Sequence, residues 1–162
     1  MAEPSQDRTL VLLRHAKSDW SVDACDADRP LNKRGKRQAA ETGRWLARHV
    51  PVDLALVSTA KRAQQTWRRA CEQMPSTAPC RDSAALYTHD GSEVLRVVRS
   101  LPDNARCVVL VGHNPALEEA VDRLTGTWVE MPTSALAVVR LAAWQDAGTT
   151  PGTLASHGRP PA

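Results

Sequence analysis

No stretch of the 162 residues approaches the roughly 20 consecutive apolar residues that a membrane-spanning helix needs. The opening segment, Met1 to Arg8, is polar and lacks the apolar centre of a secretion signal. Cysteine is sparse. Cys25, Cys71, Cys80 and Cys107 show no C-x-x-C spacing, which excludes the common zinc and dithiol redox motifs. Cys71 and Cys107 fall on apolar periodic positions, as small core residues do. Nothing calls for disulfides, so a reducing compartment fits, and the expected location is the cytoplasm with no membrane partner. Charge of one sign is also in short supply. The 21 Lys and Arg against 18 Asp and Glu leave a formal +3, too weak a field to suggest a nucleic-acid partner. Internal repeats and a second domain are absent from the pattern. Arg far outnumbers Lys, which codon usage explains, so only arginines at special positions bear on function.

What remains is ordinary for a soluble domain, with 42% hydrophobic and 24% charged residues, enough for one sizeable core. Short apolar runs alternate with amphipathic segments. Strands are expected at about Thr9–Leu13, Leu54–Val57, Ala84–Tyr87 (weakly), Cys107–Val111 and Ala135–Leu141. A helix from about Lys33 to His49 follows Asn32 as its cap and stops at Pro51. A second follows Ser58 or Thr59, a third starts at Asp90 or Ser92, and a fourth opens on Asn114-Pro115 and ends at Gly126. This alternation predicts an α/β fold: a single three-layer domain with a mostly parallel central sheet and helices on both faces. The domain is expected over residues 1–145. The Gly/Pro/Thr-rich stretch 146–162 reads as a poorly packed tail.

Three strand-to-helix junctions carry polar residues that a core would not select. The first is Arg14-His15, directly after Leu10-Val11-Leu12-Leu13. The second is Ser58-Thr59-Ala60-Lys61-Arg62, where two cations occupy the first turn of a helix against its macrodipole, an arrangement that a bound anion relieves. The third is Gly112-His113-Asn114-Pro115. In a parallel sheet all three open on the edge where such sheets bind ligands. A permanent cation beside a nucleophilic imidazole suits a phosphoryl group. Taken singly, Lys61-Arg62 also reads as a solvated pair, His113 as a packing residue, and Asn114 and Ser18 as cap and turn residues.

The segments Leu12-Leu13-Arg14-His15-Ala16-Lys17-Ser18, Ser58-Thr59-Ala60-Lys61-Arg62-Ala63-Gln64-Gln65-Thr66 and Val111-Gly112-His113-Asn114-Pro115 together resemble the histidine phosphatase superfamily. The short length, with Asp28-Arg29-Pro30-Leu31-Asn32 and Arg34-Gly35, resembles its small branch of SixA-type phosphohistidine phosphatases. The resemblance spans about Thr9 to Leu141. It implies a phosphoglycerate mutase-like fold, His15 as nucleophile through a phosphohistidine intermediate, and Arg14, Arg62 and His113 around the phosphoryl oxygens, with Ser18 at the rim. No metal and no cofactor are implied, since the arginines supply the charge. The partner is then a phosphorylated protein or a small phosphorylated molecule, and the lack of a long apolar surface strip favours a monomer. The acidic proton donor of the larger relatives has no clear counterpart. Leu86-Tyr87-Thr88-His89-Asp90-Gly91 stands in its place, with Asp90 equally a helix cap. That gap favours substrates with good leaving groups, such as phosphohistidine or a reactive ester. A mutase-like phosphotransferase, a metabolite phosphomonoesterase and a non-catalytic phosphate-binding module are the alternatives.

Overall fold

In a computed structural model, which describes residues 5–161, six strands form one sheet in the order β3-β2-β4-β1-β5-β6. The strands are β1 (Arg8–Arg14), β2 (Leu54–Ser58), β3 (Cys80–Ser83), β4 (Cys107–Gly112), β5 (Leu136–Leu141) and β6 (Thr153–Gly158). β1, β2, β3 and β4 are mutually parallel, whereas β5 runs antiparallel to β1 and β6 antiparallel to β5. The helices are α1 (Lys33–His49), α2 (Lys61–Cys71), α3 (Gly91–Arg99) and α4 (Ala116–Thr125).

Period-two alternation in the central strands separates two cores. Val11, Leu13, Val57, Val109 and Val111 face Leu46 of α1 and Trp67 and Ala70 of α2. Leu10, Leu12, Val108 and Leu110 face Val94 and Val98 of α3 and Leu117 and Leu124 of α4. β1 and β4 are apolar throughout because both of their faces are covered. The mostly parallel three-layer architecture is the expected one.

Several local expectations are corrected. The strand placed at Ala84–Tyr87 lies a few residues earlier, at Cys80–Ser83, and Ala84–Leu86 is a single 3-10 turn. β3 is a mostly exposed edge strand of polar residues, Cys-Arg-Asp-Ser, so it carries little of the hydrophobic signal by which strands are read. Within the tail expected over 146–162, residues 153–158 are ordered against the sheet. Thr153–Gly158 pairs with β5 as the edge strand β6, and Leu154 packs against the α3–α4 core. Six residues alternating exposed and half-buried, with one large apolar side chain among them, give a composition that resembles a loop. Backbone pairing with β5, together with the Gly152 N–H bond to the Leu124 carbonyl at 2.7 Å, holds this stretch in place.

Asn32 caps α1 as expected, its side chain accepting from the Gly35 N–H at 2.8 Å. Gly35 is required there: a Cβ would stand 2.0 Å from the Lys17 carbonyl oxygen. This close approach fixes the start of α1 to the chain leaving β1. α4 ends at Gly126 in the left-handed region, φ 76°.

Candidate active site

The register of the sheet brings the three junctions to one level. Arg14 pairs with Gly112, and Leu13 with Val111, which pairs in turn with Val57. The His15 N–H then bonds to the Gly112 carbonyl at 3.1 Å. Arg14, His15, Ser18, Arg62 and His113 therefore line one cavity of about 300 Å³, together with Lys17, Trp20, Asp26, Arg29, His89, Asn114 and Thr133. A larger cavity of about 450 Å³ opens beside Thr9, Trp45 and Arg140, at the opposite end of β1, and contains none of the junction residues.

His15 is buried, and its Nδ1 lies 2.8 Å from the Ala16 carbonyl oxygen. A carbonyl only accepts, so Nδ1 carries the proton and Nε2 keeps its lone pair. Burial pushes the His15 pKa down to about 3, aided by His113, Arg62 and Arg14 and opposed by the Ala16 carbonyl. The His113 ring stands 5.1 Å from the His15 ring, centroid to centroid. Its Nδ1 lies 3.4 Å from Arg62 Nη2, which can only donate. The His113 proton is therefore on Nε2, donated to Ser58 Oγ at 2.7 Å. Burial, then Arg62, lowers the His113 pKa to about 4, against a smaller opposing effect of Asp26.

Residues expected to cap helices serve the site instead. Ser58 holds His113, and Ala60, which precedes α2, gives its first turn no side-chain cap. α4 likewise starts without a side-chain cap, and Asn114 donates from Nδ2 to the Met131 carbonyl at 2.8 Å. Arg14 Nη1 donates to the same carbonyl at 3.0 Å. Three polar atoms at the cavity are buried without a partner: Arg14 Nε, Arg62 Nε and Asn114 Oδ1. A buried unpaired donor costs about 1–3 kcal/mol, so the two guanidinium N–H groups are a local cost of holding Arg14 and Arg62 where they stand.

A second set of residues escaped the sequence reading. Asp26, in the loop between β1 and α1, gathers Arg62 (backbone oxygen at 2.7 Å, Oδ2 at 3.0 Å), Arg29 (Oδ1 at 2.7 Å) and the Tyr87 hydroxyl. Arg29 also donates to Ser18 Oγ, and its guanidinium lies 3.6 Å above the Trp20 ring. Asp26 thus aims Arg62 through two bonds while leaving Nε free. The Tyr87 hydroxyl first, then Arg29 and Arg62, hold the Asp26 carboxyl well below the usual carboxylate range, so it stays ionised. Loop residues without periodicity carry no sequence signal of this kind. The traces are the Asp28-Arg29-Pro30 stretch and Tyr87, both noted above for other reasons. Asp90 caps α3, accepting from the Ser92 N–H at 2.8 Å, whereas His89 lines the cavity. Among the described residues no three His, Cys, Asp or Glu side chains group as metal ligands.

Known proteins resemble this chain in sequence and fold. The family model described as the histidine phosphatase superfamily, branch 1, matches residues 10–87. An uncharacterised protein of Mycobacterium tuberculosis is 36% identical over 159 residues, covering 90% of this chain and 97% of that one. A candidate phosphohistidine phosphatase SixA of Nakamurella multipartitia superposes with a TM-score of 0.85 at 30% identity, over 98% of this chain and 99% of that one. The protein histidine phosphatase SixA complexed with tungstate superposes with a TM-score of 0.80 at 23% identity, over 92% and 95% of the two chains, a likeness of fold.

Proposed function

The chain belongs to the histidine phosphatase superfamily and is a phosphatase, and from that premise we propose that it works through a phosphohistidine intermediate on His15, with protein phosphohistidine or a reactive small phosphate ester as substrate. The observation that carries this reading is the tautomer of His15. The Ala16 carbonyl holds the proton on Nδ1, and Nε2 faces a cavity furnished with guanidinium N–H groups. The Nε2 lone pair attacks phosphorus while the bond to the leaving nitrogen or oxygen breaks and its electron pair departs with it. Phosphorylation at Nε2 makes the ring cationic, and the Nδ1–H bond to Ala16 stabilises that charge. Water then attacks phosphorus, Nε2 recovers its electron pair, and inorganic phosphate leaves.

Arg14, Arg62 and His113 are the groups for the equatorial oxygens. A loose, metaphosphate-like transition state gains most from such fixed positive charge. With Arg14 and Arg62 in place, added metal has no assigned role. The identity of the proton donor bears on the substrate. Asp26, the carboxylate lining the cavity, stays ionised between its arginine partners and donates no proton near neutral pH. A phosphoramidate, whose nitrogen accepts a proton readily, needs such a donor least. SixA-type neighbours act on phosphohistidine by their names, which supports the same substrate class here.

The test is His15→Ala. Covalent catalysis has no substitute once Nε2 is gone, so turnover is expected to fall by several orders of magnitude with the fold intact by circular dichroism. Brief reaction of the wild type with ³²P-labelled substrate should leave acid-labile, base-stable phosphate on His15. Near-normal activity in the variant would overturn the reading.

A further inference from the structure

β6 runs parallel to β1, so the chain leaving it emerges on the same edge of the sheet as His15. Arg159 is the first residue beyond β6. It is half-buried, and its Nε donates to the Thr133 carbonyl at 2.7 Å. Thr133 itself lines the cavity. Arg159 pairs with no carboxylate among the described residues, and its two terminal nitrogens find no protein acceptor there. Its charge is close enough to Arg14 to lower that residue's pKa, behind the larger effect of burial. The carboxylate that acts on Arg14 in the opposite sense, Glu118, already accepts from the Met131 N–H at 2.8 Å. One guanidinium is thus fixed through Nε to Thr133, a residue of the cavity wall, while its outer fork meets no acceptor among the described residues.

We propose that Arg159 and Thr133 form an anion subsite beside the phosphoryl pocket, taking a second negative group of the substrate. The inference rests on the reading of the main pocket as a phosphoryl site. A guanidinium held by Nε presents its remaining N–H groups as a planar fork, the geometry that matches a carboxylate or phosphate. The ligand chemistry is therefore a phosphoryl compound that carries a carboxylate or second phosphate a few bonds from phosphorus. An acidic side chain next to a phosphohistidine and a small dianionic metabolite both present it.

Calorimetric titration with methylphosphonate, phosphonoacetate and phosphonopropionate tests the subsite without turnover. In the wild type, one of the two carboxylates should bind about tenfold more tightly than methylphosphonate, the gain of one charge-assisted contact. Arg159→Gln, which can still donate to Thr133, should remove that gain and leave methylphosphonate affinity within about twofold. Arg159→Lys should recover part of it. Lys17→Ala is the control, since Lys17 lines the cavity with the same unit charge. A gain lost equally in both variants means a general field, and a gain that persists in Arg159→Gln means no subsite at Arg159. Either result overturns the proposal. Failure of methylphosphonate to bind the wild type would overturn the phosphoryl pocket itself, and the subsite with it. Phosphohistidine peptides flanked by Glu or by Gln then identify the source. A Glu preference in kcat/KM that vanishes in Arg159→Gln assigns the subsite to acidic phosphoproteins. Phosphonate selectivity without a peptide preference assigns it to small molecules.

Discussion

Lowering the pH from about 7 to about 5 should destabilise the protein through its two pocket imidazoles. His15 and His113 have folded pKa values pushed down to about 3 and about 4, against an ordinary value of 6.5. A depressed folded value means that the unfolded chain binds more protons throughout the interval, so stability falls as pH falls. Their stabilising contribution is complete above about pH 6.5, is lost progressively below it, and is gone by about pH 4 for His113 and about pH 3 for His15. At about pH 5 an unfolded imidazole is almost wholly protonated while both pocket rings remain neutral. Integrating the proton difference from about pH 7 gives about 2 kcal/mol for each ring, about 4 kcal/mol together. Asp26 has the opposite chemistry, a depressed carboxylate whose stabilisation is lost only when pH falls past the ordinary carboxylate value of 3.8, outside the interval. Urea unfolding followed by tryptophan fluorescence at the two pH values measures the difference. His15→Asn should roughly halve it. A wild-type loss under about 1 kcal/mol, or a loss unchanged by His15→Asn, would show that the pocket does not keep its histidines neutral.

Arg62→Ala should lower kcat by about 10²–10³, the scale of one transition-state contact in an enclosed site. Vanadate should protect the wild type against heat more than this variant, with the exposed Lys61→Ala behaving as wild type; equal protection places Arg62 outside the anion site. Activity should survive exhaustive treatment with EDTA, and a strict requirement for added metal would mean that the arginines do not carry the charge. A plot of log rate against leaving-group pKa should fall steeply, with phosphohistidine and aryl phosphates far ahead of alkyl phosphates, because the ionised Asp26 supplies none of the proton donation worth about 10²–10⁴-fold. Asp90→Asn, which keeps a capping side chain, and His89→Ala should leave the phosphohistidine rate nearly unchanged; a flat plot would reveal a working acid.

Local chemistry was enough to read the alternation of strands and helices, the Asn32 cap, the Gly126 stop and the three polar junctions, because each depends on side chains within a few positions of one another. The parallel sheet follows from that alternation, and it places Arg14, His15, Arg62 and His113 on one edge. Everything that depends on contacts between distant segments was left to the tertiary structure. Ser58 satisfies the criteria for a helix cap in sequence, and only the position of β4 turns it toward His113. Asp26 resembles any loop carboxylate until Arg29, Arg62 and Tyr87 converge on it from three segments. Residues 153–158 lack the apolar content of a core strand. An edge strand needs little of it, since its stability comes from pairing with β5, and that pairing carries Arg159 to Thr133, which lines the cavity. The sequence determined which chemistry is available at the sheet edge. The fold decided how those groups are oriented and protonated, because burial and hydrogen bonding across distant segments set both.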